Sequence, residues 1–405
     1  MTVPPEKIAF VDIYPPIGIA RVGDSDEYYL GPEIPGVEPI QKNGFKDSQH
    51  RIKKQAVRFR VYAYGEDSQL LGELTDGKEY ALEWTVHVAN KKAAWVKFRG
   101  RYEDEEWNLR NPEVQPTKIK LRNKATIITA PPKFTPGIQS VTSLLDLIED
   151  IYENQDRGEN YKLGDVNFYR HIYPIFKRVY LISWTNLYAT LGHGPMKADF
   201  FLNNPDLYDP EAGLAAERVR KHIFERARAP IREHDEENKK LREHQADSFF
   251  MPRLGGSDGD LPETTREWKD NGRNRYASMT QLQYDRLAKW ANGQFKTGDP
   301  EVIYESFDVI PLKDQPEALT RAALEWSVGV PLYPGIEVYW GAELENKYNL
   351  GAKYRFSDDV KPGDLGKGLA LPWQSDFFMC NTHWCVRIGS VCFLIDRSSR
   401  IGGHR

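Results

Sequence analysis

Cysteine is absent until residue 380, and the three the chain holds, Cys380, Cys385 and Cys392, all fall in its last stretch, "LPWQSDFFMCNTHWCVRIGSVCFLIDRSSRIGGHR". An odd number of late, closely spaced thiols is not the disulfide framework of a secreted protein, and it fits a reducing compartment such as the cytoplasm. No apolar run is long enough to span a bilayer, and the opening "MTVPPEKIAFVDIYPPIGIARVGDS" has no basic segment followed by an apolar one. A soluble protein without signal peptide or transmembrane segment is expected. Excess charge of one sign is lacking too: 55 Lys and Arg stand against 59 Asp and Glu, for a net charge of -4. That balance argues against nucleic acid and membrane as partners and leaves small molecules or proteins, a homo-oligomer included.

Familiar site motifs are equally scarce. "GGSDGD" at 255–260 has no strand leading in and no Lys-Ser/Thr following, so it reads as a turn and not a nucleotide loop. Asp258 and Asp260 echo part of a calcium loop whose closing Glu is missing. His193 in "GHG" has no second histidine at ligand spacing, and His87 fits the polar side of a strand. The letters of G-x-S-x-G occur once, in "GGSDG" (255–259), but without a strand leading in they make no nucleophile elbow, and there is no internal repeat and no low-complexity tract.

What is present suffices for a large core, since 40% of 405 residues are apolar. The pattern predicts an α+β fold, β-rich in its first third, then helical, with a smaller mixed C-terminal domain that looks incomplete. "VRFRVYA" (57–63) and "EYALEWTVHV" (79–88) alternate as half-buried strands. Val141, Leu144, Leu145, Ile148, Ile151 and Tyr152 follow helical spacing, and a second helix is expected from Tyr173 to Gly192. The charged run 210–250 reads as a solvated helical excursion broken at Pro230, the alternative being an arm for a partner subunit. Thr280 with Gln283 makes a capping box for a helix ended by Gly293, and Pro316 opens another that stops near Gly329. Loop composition at 251–275 marks a boundary between residues 1–250 and 276–405.

The tail holds the chemistry. Cys380, His383, Cys385, Cys392 and His404 offer enough donors for zinc, but C-x4-C-x6-C is not the paired hairpin spacing of a structural site, so no metal is assigned. Free cysteines also pack as small hydrophobes. Upstream, Trp373, Phe377 and Phe378 crowd Asp376, which lies four residues before Cys380. A carboxylate so surrounded has its pKa raised by desolvation and can serve as a base near neutral pH. Leu369 to Cys380 is therefore expected to line a partly buried cleft.

"LALPWQSDFFMC" resembles a segment of the lysine epsilon-oxidase family. So, in order along the chain, do "IGIARVGDS" (17–25), "FKDSQHRIKKQAVRFRVY" (45–62), "EWTVHVANKKAAW" (83–95), "MPRLGGSDGD" (251–260), "MTQLQYDRLAKWANGQF" (279–295) and "VPLYPGIEVYW" (330–340). The resemblance implies a quinoprotein whose cofactor, cysteine tryptophylquinone, is built by joining a Cys to a modified Trp of the same chain. It implies Cys380 as the cross-linking cysteine and Asp376 as the carboxylate assisting cofactor formation and proton transfer, with Trp373, Phe377, His383 and Trp384 as pocket candidates. It further implies an amine or amino-acid substrate, lysine or glycine among the family's options. Molecular oxygen would be the acceptor, peroxide and ammonia would be products, and a flavoprotein would assist maturation. After "CNTHW" the text departs from the family, which carries the quinone-forming Trp well downstream. Only Trp384 follows Cys380 here. As written, the chain is expected to lack lysine oxidase activity, and a catalytically silent protein that binds amines or partners is the alternative. From Cys385 onward the tail is expected to pack poorly.

Overall fold

The computed structural model describes residues 3–38, 44–75, 121–130, 139–155, 161–183, 202–230, 279–327 and 345–360, with short pieces between them. The strands of its two larger sheets are β1 (Phe10–Tyr14), β2 (Ile17–Arg21), β3 (Tyr28–Leu30), β4 (Lys54–Ala56), β5 (Arg60–Tyr64), β6 (Leu70–Leu74), β7 (Leu121–Asn123) and β8 (Thr126–Ala130). They form two four-stranded sheets, β6-β5-β1-β7 and β8-β2-β4-β3. In the first, β5 pairs antiparallel with β1 (Phe10 opposite Tyr64, Ile13 opposite Val61) and with β6. In the second, β8 runs parallel to β2 with Ile128 opposite Ile19. Since Tyr14 ends β1 and Ile17 opens β2, the chain passes from one sheet to the other within two residues.

The alternation in 57–63 is not that of a half-buried strand. β5 begins only at Arg60, and both its faces are covered. Val61 and Ala63 pack with Val3, Val11 and Leu74, whereas Tyr62 and Tyr64 pack with Phe307, Ile310, Ala318 and Leu319. Buried tyrosines are tolerated because each hydroxyl has a partner: Tyr62 donates to Gln315 Oε1 at 2.9 Å and Tyr64 to the Tyr14 oxygen at 3.3 Å. In the second expected strand, Tyr80, Leu82 and Trp84 are described and none is in a strand. Tyr80 and Leu82 instead pack side-on against the Val3 and Val11 cluster.

The longer helices are α1 (Leu144–Gln155), α2 (Tyr173–Ser183), α3 (Leu214–Arg226), α4 (Gln281–Ala291) and α5 (Gln315–Glu325). α1 buries the spacing read from the sequence, Leu144, Leu145, Ile148 and Ile151, against Ile17, Ile19 and Ile128 of the second sheet. Of the helix expected from Tyr173 to Gly192, α2 is the first part; 184–189 and 192 lie outside the described residues. α4 starts on the expected capping box, with Gln283 N donating to Thr280 Oγ1 at 3.2 Å and Thr280 N to Gln283 Oε1 at 2.9 Å. It ends at Gly293, whose φ of 74° suits glycine. The charged run supplies α3, which ends four residues short of Pro230. Lys221 and Glu217 pair on its outside, but Arg220 and Ile223 are buried in a helical core around Trp290 and Phe295. Arg220 is accommodated by donating to the carbonyls of Asp206 and Asp209. The rest of the run, 231–250, lies outside the described residues.

α5 is buried almost all round and lies between the two sheets. Ala318 and Leu319 join the core of the first, Leu324 that of the second. Burying each of the two leucines is worth about 1.5–3 kcal/mol. Arg355 then ties the 345–360 segment to the strands, donating to Ile13 O at 2.9 Å and Lys124 O at 2.8 Å. Of the 251–275 junction, Leu254 and Gly255 are described, paired with Ala277 and Tyr276.

Candidate functional site

The residues expected to carry the chemistry, Trp373, Asp376, Phe377, Cys380, His383 and Trp384, lie outside the described residues, as do Cys385, Cys392 and the tail. What the structure shows is the framework that leads toward them. Its centre is the C-terminal end of α5, from which the chain continues through Gly329 into the "VPLYPGIEVYW" block.

Two polar connections fix that end, and a third ties together loops on the second sheet. The first is a backbone clasp with the start of α1: Leu144 N donates to Ser327 O at 2.9 Å and Gly329 N to Thr142 O at 3.0 Å. Below it, Ser143 caps α1, and Asp146 Oδ2 accepts from Ser143 N and Oγ, each at 2.7 Å, and from Arg178. Ser-x-x-Asp is a legible capping signature that the sequence reading passed over. The second connection is charged. Arg321 bridges Glu301 at 2.6 Å and Glu325 at 2.7 Å, and Glu325 also accepts from Gly36 N at 3.1 Å. Burial raises the Glu325 pKa, and the Arg321 charge opposes that rise. With both oxygens engaged, this carboxylate positions the chain; it is not placed to exchange protons with a substrate.

The third connection joins two of the family-like blocks. Ser25 Oγ donates to Asp47 Oδ2 at 2.6 Å, Arg51 Nε to the same oxygen at 2.8 Å, and Ile52 N to Asp24 Oδ1 at 2.6 Å. The Ser25 hydrogen bond is the largest influence holding the Asp47 carboxyl below its usual range. "IGIARVGDS" and "FKDSQHRIKK" are thus two halves of one interlocked loop pair on the second sheet.

Between that sheet and α5 is a cavity of about 30 Å³, lined by Ile19, Tyr29 and Val57 on one side and Leu319, Ala323 and Trp326 on the other. In the helical half, His171 Nδ1 accepts from Asn167 N at 3.0 Å. Burial, with Arg286 and Arg170 nearby, lowers the His171 pKa to about 3, so the ring is neutral. Nothing in the local sequence signals this, because Asn167 precedes His171 without any catalytic motif. Among the described residues, no group of three or more His, Cys, Asp or Glu could hold a metal ion, and no helix is long and apolar enough to cross a membrane.

Comparison with known proteins gives consistent results along the chain. The family description "L-Lysine epsilon oxidase N-terminal" matches residues 14–168, and "L-lysine epsilon oxidase C-terminal domain" matches residues 259–391. The L-lysine 6-oxidase of Marinomonas mediterranea is 24% identical over 294 residues, which is 63% of this chain and 38% of that protein. The chain therefore matches well under half the length of this curated relative. The crystal structure of the L-Lys epsilon-oxidase of the same organism, described as a Schiff base intermediate with L-Lys, aligns with a TM-score of 0.64 at 21% identity, over 91% of this chain and 75% of that one. A second crystal structure of that oxidase gives a TM-score of 0.63 at 20% identity with the same coverage. At these identities the structural likeness concerns the fold.

Proposed function

Because the chain belongs to the L-lysine epsilon-oxidase family, we propose that it is an amine or amino-acid oxidase of the L-lysine 6-oxidase type, with its reactive centre at Asp376 and Cys380. One observation carries this reading: the C-terminal family match, 259–391, contains Trp373, Asp376, Phe377, Cys380, His383 and Trp384. The reaction removes two electrons and the amine nitrogen from the substrate, water supplying the carbonyl oxygen of the aldehyde or oxo acid as ammonia leaves, while molecular oxygen accepts the electrons with two protons and leaves as hydrogen peroxide.

The cofactor of this reading is cysteine tryptophylquinone, which supplies an electrophilic carbonyl and a sink for the electron pair. Cys380 would provide its thiol. Within the chain, Asp376 takes the proton from the carbon next to the amine nitrogen, the usual task of a base with a raised pKa. Trp373 and Phe377 exclude water around it, and His383 and Trp384 complete the wall. A flavoprotein partner for maturation belongs to the same proposal.

A second reading is a catalytically silent member of the family that binds amines or a partner protein. Peroxide release separates the two. Under the oxidase reading, Asp376→Asn lowers turnover by about 10²–10⁴-fold while the protein stays folded. A preparation that binds amine yet releases no peroxide supports the silent reading.

A further inference from the structure

Among the described residues, four large apolar side chains left in water fall within one short segment: Val302, Ile303, Val309 and Leu312, each 41–64% exposed. A single exposed apolar residue is ordinary, whereas a group of them marks a contact surface. The segment is firmly anchored. Phe307 and Ile310 are buried with Tyr62, Tyr64 and Leu319, and the Arg60 guanidinium carbon lies 4.2 Å from the centre of the Phe307 ring. Ile310 N donates to Phe307 O at 3.0 Å, Gln315 Nε2 to Ile310 O at 3.0 Å and Asp314 N to Pro311 O at 2.8 Å. These bonds close two short 3₁₀ turns, Phe307–Val309 and Leu312–Asp314. Residues three apart share a side in such turns, so while Phe307 and Ile310 point inward, Val309 and Leu312 are held outward. Little conformational entropy remains to be lost there on binding.

The rim of the group is acidic. Residues 301–314 carry Glu301, Glu305, Asp308 and Asp314 against Lys313 alone. Glu301 is held by Arg321, but Glu305, Asp308 and Asp314 are exposed and form no ion pair among the described residues. Carboxylates so placed repel nucleic acid, anionic lipid and a second copy presenting the same face. We infer that Val302, Ile303, Val309 and Leu312 form the centre of a docking surface for another protein, one whose contact face is basic around an apolar middle. The apolar side chains supply the area removed from water, and the carboxylates select the partner by sign and fix its register. The inference is independent of the oxidase reading, since none of these residues belongs to the reactive centre.

Three synthetic helical peptides test the surface on the full chain: one with a leucine face and a lysine face, one with glutamate in place of the lysines, and one with serine in place of the leucines. The leucine–lysine peptide is expected to bind and to slow hydrogen exchange within 302–314. Its affinity should fall about tenfold when Val309→Ser is combined with Leu312→Ser, and several-fold when Glu305→Gln is combined with Asp308→Asn. The other two peptides should bind far more weakly. All four substitutions are at exposed positions and leave Phe307 and Ile310 in place, so the fold is retained. No binding, protection confined to other segments, equal affinity in the variants, or equal binding of the leucine–glutamate peptide overturns the inference. Sedimentation of the chain alone covers the remaining occupant: self-association abolished by the Val309→Ser, Leu312→Ser pair would assign the surface to a second copy and overturn it as well.

Discussion

Glu325, the last residue of α5, accepts the backbone N–H of Gly36 at 3.1 Å across 289 residues of sequence. The same carboxylate holds Arg321, so one side chain ties the end of the central helix to a loop near the N-terminus. Glu325→Ala leaves a donor and part of a buried cation without their acceptor and should cost about 2–4 kcal/mol in urea melts. Glu325→Gln keeps an acceptor for Gly36 and should cost less. Because burial raises the Glu325 pKa, the native state holds this proton more firmly than the unfolded chain. The advantage of the parent over Glu325→Gln should therefore shrink as pH rises above the ordinary carboxylate range. An advantage that grows with pH would show that Arg321 outweighs burial.

His171 gives the opposite sign. Its pKa of about 3 lies below the ordinary 6.5, so between these values the unfolded chain binds more protons than the native one. Its contribution to stability is full above that window and declines as pH falls through it. Replacing it as His171→Gln, which keeps an acceptor for Asn167 N, should flatten the acid limb of the stability profile. In an NMR titration its ring should remain neutral at about pH 5, and a midpoint near the ordinary value would contradict the burial argument.

Gly329 stands where α5 passes α1, and a Cβ there would come within 2.0 Å of Ser143 O. Backbone, not a flexible side chain, is the obstacle, so Gly329→Ala should cost about 3 kcal/mol by forcing the clasp apart. Hydrogen exchange at Leu144 and Gly329 should accelerate. Gly164→Ala, where a Cβ meets nothing within 4 Å, is the control and should change stability little.

Local features were the legible part of this fold. The capping box of α4 and the apolar stripe of α1 each lie within one element, and the sequence spells them out. β5 was misread because its second cover, Phe307 and Leu319, comes from residues far along the chain; the Tyr62 to Gln315 bond spans 253 positions. Alternation reports a difference between two faces, and it loses meaning where both are buried. The same reason hid the Glu325 to Gly36 tie. Asp376 and Cys380 are singled out only by the resemblance of their segment to a family, since carboxylate and thiol four apart have no unique chemistry by themselves.

The central claim is that Cys380 anchors the reactive centre, and the state of its sulfur tests this most directly. The chain, co-produced with a maturation flavoprotein, would be alkylated, digested and mapped by mass, with Cys380→Ala as the control. The account predicts that Cys380 resists alkylation and is found joined to a tryptophan, with visible absorption and peroxide release on adding L-lysine, all lost in the control. Full alkylation of Cys380, with no absorption and no peroxide, would contradict it.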